Sequence, residues 1–189
     1  LWLCNMIPGD VKKAITGKEG NGLWVDHVLA DLGREEDLSI RILCPDAVEQ
    51  SGVLDEHCSY ATFTRKAPYQ YLTGNEARFR SQLQEFAPDV IHIWGTEYAH
   101  TLAMVRAAQS EVFLDRVVIS IQGLCSIYAR HFVEGIPSGT VHGMTLRDLF
   151  RQDNLSQQRK KFVRRGELEI QALEKVSHVI GRTCWDRAC

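Results

Sequence analysis

Two polar side chains, a carboxylate and an amide, lie at the ends of two apolar, strand-like runs. Glu97 comes three residues after the run at 90–94, and Gln122 ends the run at 116–122. In an open parallel sheet, the carboxyl ends of the strands meet at one edge, where ligands bind. Gly95 and Gly123 would let a ligand approach the backbone there. This spacing predicts a polar ligand site around Glu97 and Gln122. The structural alternatives are that Glu97 complements a helix dipole and that Gln122 caps backbone groups.

A glycine-rich loop supplies a second set of candidates. The sequence GKEGNG at 17–22 leads into a predicted helix. Glycines at the start of a helix let backbone N–H groups come close to a phosphate, which makes Gly20, Gly22 and the adjoining Trp24 candidate ligand contacts. The spacing differs from the GxGxxG of dinucleotide-binding proteins, and a flexible surface loop is the alternative.

Aromatic and basic side chains follow two strand ends. Tyr128 and His131 come shortly after Gln122, and Arg182 and Trp185 follow the last apolar segment. None of these residues specifies a site by itself. Their convergence on one sheet edge favours a cleft for a polar ligand.

An alternation of apolar strands and amphipathic helices positions these loops. Pro88 turns the chain into extended geometry before the central strand, and Thr96 is expected to cap the next helix with Glu97 in its first turn. The alternation predicts an α/β fold, a doubly wound, mainly parallel, Rossmann-like sheet of six or seven strands with helices on both faces. The strands are predicted at 1–6, 37–44, 57–64, 90–94, 116–122 and 177–180, with a loop at 7–22 and a long helical region from 145.

Composition and charge limit the class of protein. Of the 189 residues, 44% are hydrophobic and 24% charged, as in ordinary globular domains, and the net charge of −2 argues against a nucleic-acid partner. No apolar run approaches the ~20 residues of a membrane span, and no signal peptide is visible. The six cysteines include no CxxC pair. Cys4, Cys44 and Cys125 lie in or beside apolar runs, which favours reduced thiols and a cytoplasmic location.

Two further features of the sequence bear on function. A basic run at 159–165 precedes Glu167, Glu169 and Glu174, which favours a solvated helix face, with peripheral contact to a membrane as the alternative. Cys184 and Cys189 have no complementary pair at ligand spacing, so no metal is expected.

Several segments together resemble one known family. They are NMIPGD and GKEGNGLWVD near the start, IHIWGTEY at 91–98, SIQG at 120–123 and GRTCWDRA at 181–188. As a set they resemble the amino-terminal half of a GT-B glycosyltransferase, in the large family-four group of retaining enzymes that use nucleotide sugars. The resemblance covers nearly the whole chain. It implies that residues 1–189 are a single Rossmann-like, acceptor-side domain and that the C-terminal nucleotide-sugar-binding domain is absent from this sequence.

The resemblance also implies roles for residues. The glycine loop would approach the donor phosphates and the acceptor, and Gln122 and Glu97 would be the catalytic candidates. Many relatives carry a His where this chain has Gln122, which puts a catalytic imidazole at that position in question. In a retaining transfer assisted by the leaving phosphate, the protein contributes mainly positioning and charge stabilisation. A nucleotide sugar would be the co-substrate and a sugar or glycan hydroxyl the acceptor, in glycan or cell-envelope polysaccharide biosynthesis, with no metal or other cofactor.

The alternative function is a non-catalytic module that binds a sugar phosphate or a nucleotide. A nicotinamide-dependent oxidoreductase is disfavoured because no GxGxxG follows the first strand. The chain starts without Met and stops in what resembles the start of a helix, so we expect a domain fragment. Such a fragment would be inactive by itself, would partner its own C-terminal domain, and would tend to self-associate through exposed strand-end aromatics. Continuation of the reading frame into a second βα domain would favour the enzyme.

Overall fold

Seven strands form one sheet in the computed structural model, which describes residues 1–20 and 24–189. Their order across the sheet is β3-β4-β2-β1-β5-β6-β7, and each neighbouring pair is parallel except β3 with β4. The strands are β1 (Trp2–Cys4), β2 (Ile40–Asp46), β3 (Ser51–Val53), β4 (Cys58–Thr64), β5 (Ile91–Trp94), β6 (Val117–Ser120) and β7 (His178–Ile180).

Helices cover both faces of this sheet, so the predicted doubly wound, Rossmann-like α/β fold is confirmed. Side chains alternate along each strand, which divides the core into two layers. Leu3 and Ile93 belong to the layer that includes residues of α3, α4 and α8, whereas Cys4 and Ile42 belong to the layer with α1 and α2. The helices are α1 (Gly9–Thr16), α2 (Trp24–Leu32), α3 (Thr73–Phe86), α4 (Ala99–Ser110), α5 (Cys125–His131), α6 (Ser138–His142), α7 (Leu146–Arg151), α8 (Leu155–Leu173) and α9 (Cys184–Ala188), with a short 3-10 helix at Leu114–Arg116.

Two local predictions were wrong. The predicted loop at 7–22 contains helix α1, whose eight residues bury fully only Val11 and so offer no apolar period to recognise. Strand β2 was expected to close at Pro45 but continues through Asp46. Proline removes a donor from a sheet, but β1 pairs with β2 only at Ile42 and Leu43, so beyond this point β2 has a single neighbour, β4.

The helical region after 145 is divided into two capped helices. Thr145 and Asp148 form a reciprocal capping box at the start of α7, and Gln152 ends that helix in the left-handed conformation. Asn154 then caps α8. Further along, α8 lies directly against α5 because Gly166 has no side chain: a Cβ there would lie 2.6 Å from the Cα of Ser126.

Four cysteines pack as small hydrophobic residues, as predicted for three of them. Cys4, Cys44, Cys58 and Cys125 are buried with free thiols. Burial raises the pKa of the Cys44 thiol to about 12, with a further increase from Asp46. Such thiols stay protonated and unreactive at neutral pH. In the described part of the chain, no helix combines the length and apolar character needed to cross a membrane.

Candidate functional site at the strand ends

The strand order places a crevice between the carboxyl ends of β1 and β5. Strands β2, β4 and β3 lie on one side of β1, and β5, β6 and β7, which come later in the chain, lie on its other side. Ligands bind at such a switch point in open α/β sheets. The residues that follow the two strands here are Asn5 and Gly95.

Gly95 allows the two strand ends to meet. Its φ of 107° lies in the left-handed region. A Cβ at this position would lie 2.3 Å from Nδ2 of Asn5 and 2.4 Å from Oε2 of Glu97. A side chain here would therefore separate the amide from the carboxylate.

The turn at Gly95 also corrects two local predictions. Thr96 does not cap α4: its hydroxyl lies 2.8 Å from the carbonyl oxygen of Gly123 and 2.7 Å from Oε2 of Glu169. Helix α4 begins at Ala99 after an extended Tyr98, so Glu97 precedes the helix instead of lying in its first turn. The carboxylate is thus presented by a loop, where it can face a ligand.

A cleft of about 190 Å³ opens at this switch point, and we call it the strand-end cleft. Its polar groups are the amides of Asn5 and Gln122, the carboxylate of Glu97 and the guanidinium of Arg165. Its aromatic and apolar walls come from Cys4, Met6, Trp24, Val25, Trp94 and Tyr98. A mostly apolar concavity with a few convergent polar groups is typical of small-molecule sites.

The carboxylate of Glu97 is held at several points. Oε2 accepts a hydrogen bond of 3.1 Å from Nδ2 of Asn5, and Oε1 lies near Gly123. Burial raises the pKa of the Glu97 carboxyl above its ordinary value; backbone N–H groups and the Arg165 guanidinium oppose this increase, and Glu169 adds to it. Arg165 also donates from Nε to the Glu97 carbonyl oxygen at 2.7 Å. Raised carboxyl pKa values of this origin are common at functional sites.

A buried histidine orients the amide that holds Glu97. Nε2 of His100 lies 2.8 Å from Oδ1 of Asn5. Burial, with a smaller contribution from Arg65, lowers the pKa of His100 to about 3, so the ring is neutral at neutral pH. Because an amide oxygen only accepts, Nε2 carries the proton and donates. Both ends of the Asn5 side chain are therefore engaged.

Two arginines flank the ring of Tyr98 at the rim of the cleft. The guanidinium of Arg65 lies 4.7 Å from the ring centroid, and that of Arg165 lies 5.6 Å from it. Arg65 also donates to the carbonyl oxygen of Asn5 at 2.7 Å. Contacts of these two cations thus stabilise the loop after β1, which contains Asn5, and the loop after β5, which contains Tyr98.

Two indole rings, those of Trp24 and Trp94, also line the cleft. Trp24, which is 48% exposed, meets the ring of Trp94 edge to face at 4.9 Å between centroids. Trp94 stacks on His92 at 3.7 Å, and its Nε1 is buried without a hydrogen-bond partner among the described residues. His92 in turn bonds to Ser120 at 2.7 Å. An exposed indole beside a carboxylate offers both an apolar face and a polar edge to a ligand.

The buried carboxylate of Glu169, on α8, forms hydrogen bonds with residues that follow β5 and β6. It is only 1% exposed and accepts from the backbone N–H groups of Cys125 and Ser126 at 3.0 and 2.9 Å. The hydroxyls of Ser126 and Thr96 lie 2.7 Å from its oxygens. One side chain of α8 therefore joins the loop after β5 to the start of α5.

The structure brings most of the predicted site residues together. Glu97, Gln122 and Trp24 line the strand-end cleft, and Gly95 lies between Asn5 and Glu97. A second group adjoins it: Gly123 lies between Tyr128 and Glu97, and Arg182 donates to the carbonyl oxygen of Gln122.

Other predicted residues lie elsewhere. His131 pairs with Glu134 at 2.5 Å on an exposed surface, and Trp185 is exposed on α9; neither lines the cleft. Gly20 lies against Gly9 at the start of α1. Gly22 lies outside the described residues.

Sequence reasoning missed four contributors, namely Asn5, His100, Arg65 and Arg165. Asn5 had a usable signal, because it is the first polar residue after the first strand. Arg165 had none, since it belongs to the basic run at 159–165 and lies 68 residues from its partner Glu97.

A wider groove of about 460 Å³ lies at the opposite edge of the sheet. It is lined by the first residues of β2 and β4, Ile40 and Cys58, so it opens away from the switch point. Its basic residues Lys13 and Arg34 are paired with Glu19 at 2.6 Å and with Asp31 at 3.5 Å. The strand-end cleft is the stronger candidate because its polar groups converge on one space.

No family model, curated protein or solved structure matches this chain. Within residues 1–20 and 24–189, no group of three or more His, Cys, Asp or Glu side chains is arranged to hold a metal ion.

Proposed function

We propose that this chain is the acceptor-side domain of a retaining glycosyltransferase, which transfers a sugar from a nucleotide sugar to a sugar or glycan hydroxyl. The observation that carries the proposal is the strand-end cleft, where the Glu97 carboxylate, the Gln122 amide and the Trp24 indole line one concavity at the switch point. The likeness of the IHIWGTEY, SIQG and GRTCWDRA segments to the family-four enzymes supports the same assignment.

The chemistry of the cleft suits a sugar acceptor. A pyranose ring has an apolar face of C–H groups, which can pack on the exposed indole of Trp24, and an equatorial rim of hydroxyls. The Glu97 carboxylate accepts from hydroxyl groups, and the Gln122 amide both donates and accepts. Because Glu97 is partly buried, a bond to its charged form is stronger than one in bulk water.

Positioning is the main catalytic contribution that we assign to these residues. In a retaining transfer the leaving phosphate takes the proton of the incoming hydroxyl, so no protein nucleophile is required. Glu97 and Gln122 would hold the acceptor hydroxyl beside the leaving phosphate, on the same face of the donor carbon, which lowers the entropic part of the barrier. On this proposal the nucleotide-sugar site belongs to a second domain, and we expect the 189-residue chain alone not to turn over UDP-glucose or GDP-mannose.

Sugar binding to the 189-residue chain tests the proposal. We would follow the indole N–H signals of Trp24 and Trp94 by ¹⁵N NMR during addition of the methyl glycosides of glucose, galactose and mannose. At least one sugar should shift the Trp24 signal. Glu97→Gln should weaken that binding about tenfold, the effect of losing a hydrogen bond to a charged group.

The matched control is Glu167→Gln, which neutralises an exposed carboxylate of α8 outside the cleft. It should leave sugar binding unchanged. Indole signals unmoved by all three sugars, or shifted equally in the Glu97→Gln variant, would count against the proposal. Turnover of a nucleotide sugar by the 189-residue chain would contradict the division into two domains.

A non-catalytic module that binds sugar phosphates is the second candidate, and Arg165 favours it. Its Nε donates to the backbone carbonyl oxygen of Glu97. Its two terminal nitrogens make no hydrogen bond to another described residue and so remain available to a phosphate. Inorganic phosphate distinguishes the two candidates. A shift of the Trp24 signal with phosphate, but with none of the neutral glycosides, would favour the binding module.

A further inference from the structure

Helix α7 presents an apolar face that is exposed in the described structure. Leu146, Leu149 and Phe150 lie at i, i+3 and i+4, and their exposed fractions are 79%, 58% and 86%. The helix buries none of its residues. The capping box of Thr145 and Asp148 stabilises its first turn, and the three apolar side chains remain mostly exposed to solvent.

The charge around this helix is unlike that of the rest of the chain. Residues 144–165 carry seven Lys or Arg and two Asp, a net charge of +5, whereas the whole chain has a net charge of −2. Arg147, Arg151 and Lys160 are exposed and form no ion pair within the described residues. This positive charge is therefore available to an anionic partner.

Contacts of α8 connect its basic segment both to the end of α7 and to the strand-end cleft. Lys161 donates to the carbonyl oxygen of Gln152, at the end of α7, at 3.0 Å. One helical turn later, Arg165 donates to the carbonyl oxygen of Glu97 at 2.7 Å. The two contacts are thus about 6 Å apart along the axis of α8.

We propose that the surface of α7, which consists of Leu146, Leu149 and Phe150 with Arg147 and Arg151, docks on an anionic lipid bilayer. We call it the α7 surface. Apolar side chains flanked by unpaired basic ones are the combination that interfacial helices use, because the first insert among the acyl chains and the second meet the anionic headgroups. A second copy of the chain fits less well, since a symmetric contact would place the same positive charges against each other.

Sedimentation with lipid vesicles tests the proposal with the 189-residue chain. Vesicles of phosphatidylcholine and phosphatidylglycerol in equal parts should carry the protein down, and vesicles of phosphatidylcholine alone should not. Raising the salt concentration should weaken the binding because it screens the charges.

Two double variants separate the apolar and electrostatic contributions. Leu149→Ser with Phe150→Ser should lower the vesicle partition coefficient roughly tenfold or more, since both side chains lose their insertion. Arg147→Glu with Arg151→Glu should abolish the preference for anionic vesicles. Thermal melting should show that both proteins remain folded, because the altered residues are exposed.

Matched controls repeat the same chemistry elsewhere. Val48→Ser with Val53→Ser removes two exposed apolar side chains near β3, at the far edge of the sheet, and Lys12→Glu with Lys18→Glu reverses two exposed charges. Both should bind anionic vesicles as the wild type does.

Three outcomes would overturn the proposal. They are no sedimentation with anionic vesicles, equal sedimentation with neutral vesicles, and binding that survives both α7 variants. Light scattering adds a fourth: a wild-type dimer that Leu149→Ser with Phe150→Ser dissociates, without vesicle binding, would assign the α7 surface to self-association.

Discussion

The imidazole of His100 donates from Nε2 to Oδ1 of Asn5 across 2.8 Å, although 95 residues separate them in the sequence. The same amide then donates from Nδ2 to Glu97. A buried, neutral ring on α4 thus sets the orientation of the group that holds the cleft carboxylate.

Loss of the Asn5 or the His100 side chain should raise the pKa of the Glu97 carboxyl group. A hydrogen bond donated to the carboxylate stabilises its charged form, so Asn5→Ala raises the pKa by removing the donor. His100→Ala should act in the same direction through a misoriented Asn5. His100→Gln should retain the wild-type value, because the Gln amide can donate from a position close to that of Nε2. The ¹³C titration of the Glu97 carboxyl group measures the pKa.

Gln82→Ala is the control for this experiment. Gln82 is also a buried amide, but its side chain bonds to Arg41 and Glu85, and Arg41 lies near the amino end of β2, at the opposite edge of the sheet from the strand-end cleft. The variant should lose stability without moving the Glu97 titration. A pKa that responds to Asn5→Ala but not to His100→Ala would refute the orienting role of His100.

Stability should fall as the pH is lowered from about 6.5, mainly because of buried histidines. Burial lowers the pKa of His100 from 6.5 to about 3, so in this window the unfolded chain takes up a proton that the folded chain does not. The free energy of unfolding then drops by at most about 1.4 kcal/mol per pH unit for this residue. His92, whose pKa burial lowers to about 4, acts in the same direction. The raised pKa of Glu97 acts oppositely: its stabilising contribution is present at low pH and is lost as pH rises through the folded pKa.

Urea unfolding at pH 7 and pH 5 measures this slope. His100→Gln should flatten it, whereas His142→Gln, at an exposed position of α6, should leave it as in the wild type. An unchanged slope in the His100→Gln protein would show that this ring does not control the acid sensitivity.

Removal of the Glu169 carboxylate should destabilise the fold strongly. Glu169→Ala leaves the buried N–H groups of Cys125 and Ser126 without an acceptor, at about 1–3 kcal/mol each. We expect a total loss of about 2–5 kcal/mol in urea unfolding. Glu167→Gln, two residues earlier on the exposed side of α8, should change stability by less than about 0.5 kcal/mol. Equal effects of the two variants would show that the buried network contributes little.

Gly95→Ala and Gly74→Ala should change stability in opposite directions. At position 95 the added Cβ meets Asn5 and Glu97 and the backbone has a positive φ, so we expect a loss of about 2 kcal/mol or more. Gly74 lies in helix α3 with open space around it. Alanine there favours the helix and should add up to about 1 kcal/mol. Urea unfolding of both proteins checks the pair, and a stabilised Gly95→Ala protein would be inconsistent with the observed turn.

The sequence allowed the sheet and part of the cleft to be predicted. The apolar runs before Glu97 and Gln122 identify two buried strands, and parallel pairing then places both residues at one edge. The contributions of Asn5, His100 and Arg165 depend on how β1 inserts between β2 and β5 and on where α8 crosses the strand ends. No local pattern encodes that packing, because the partners lie 68 to 95 residues apart.

The close contact at Gly95 also limits how this site can diverge. Positions 5, 95 and 97 share one small volume, so the amide, the missing side chain and the carboxylate are mutually dependent. A change at one position alone leaves either a clash or an empty space. We therefore expect the three positions to vary together among proteins that descend from the same ancestor, which gives them a recognisable signature even where overall identity is low.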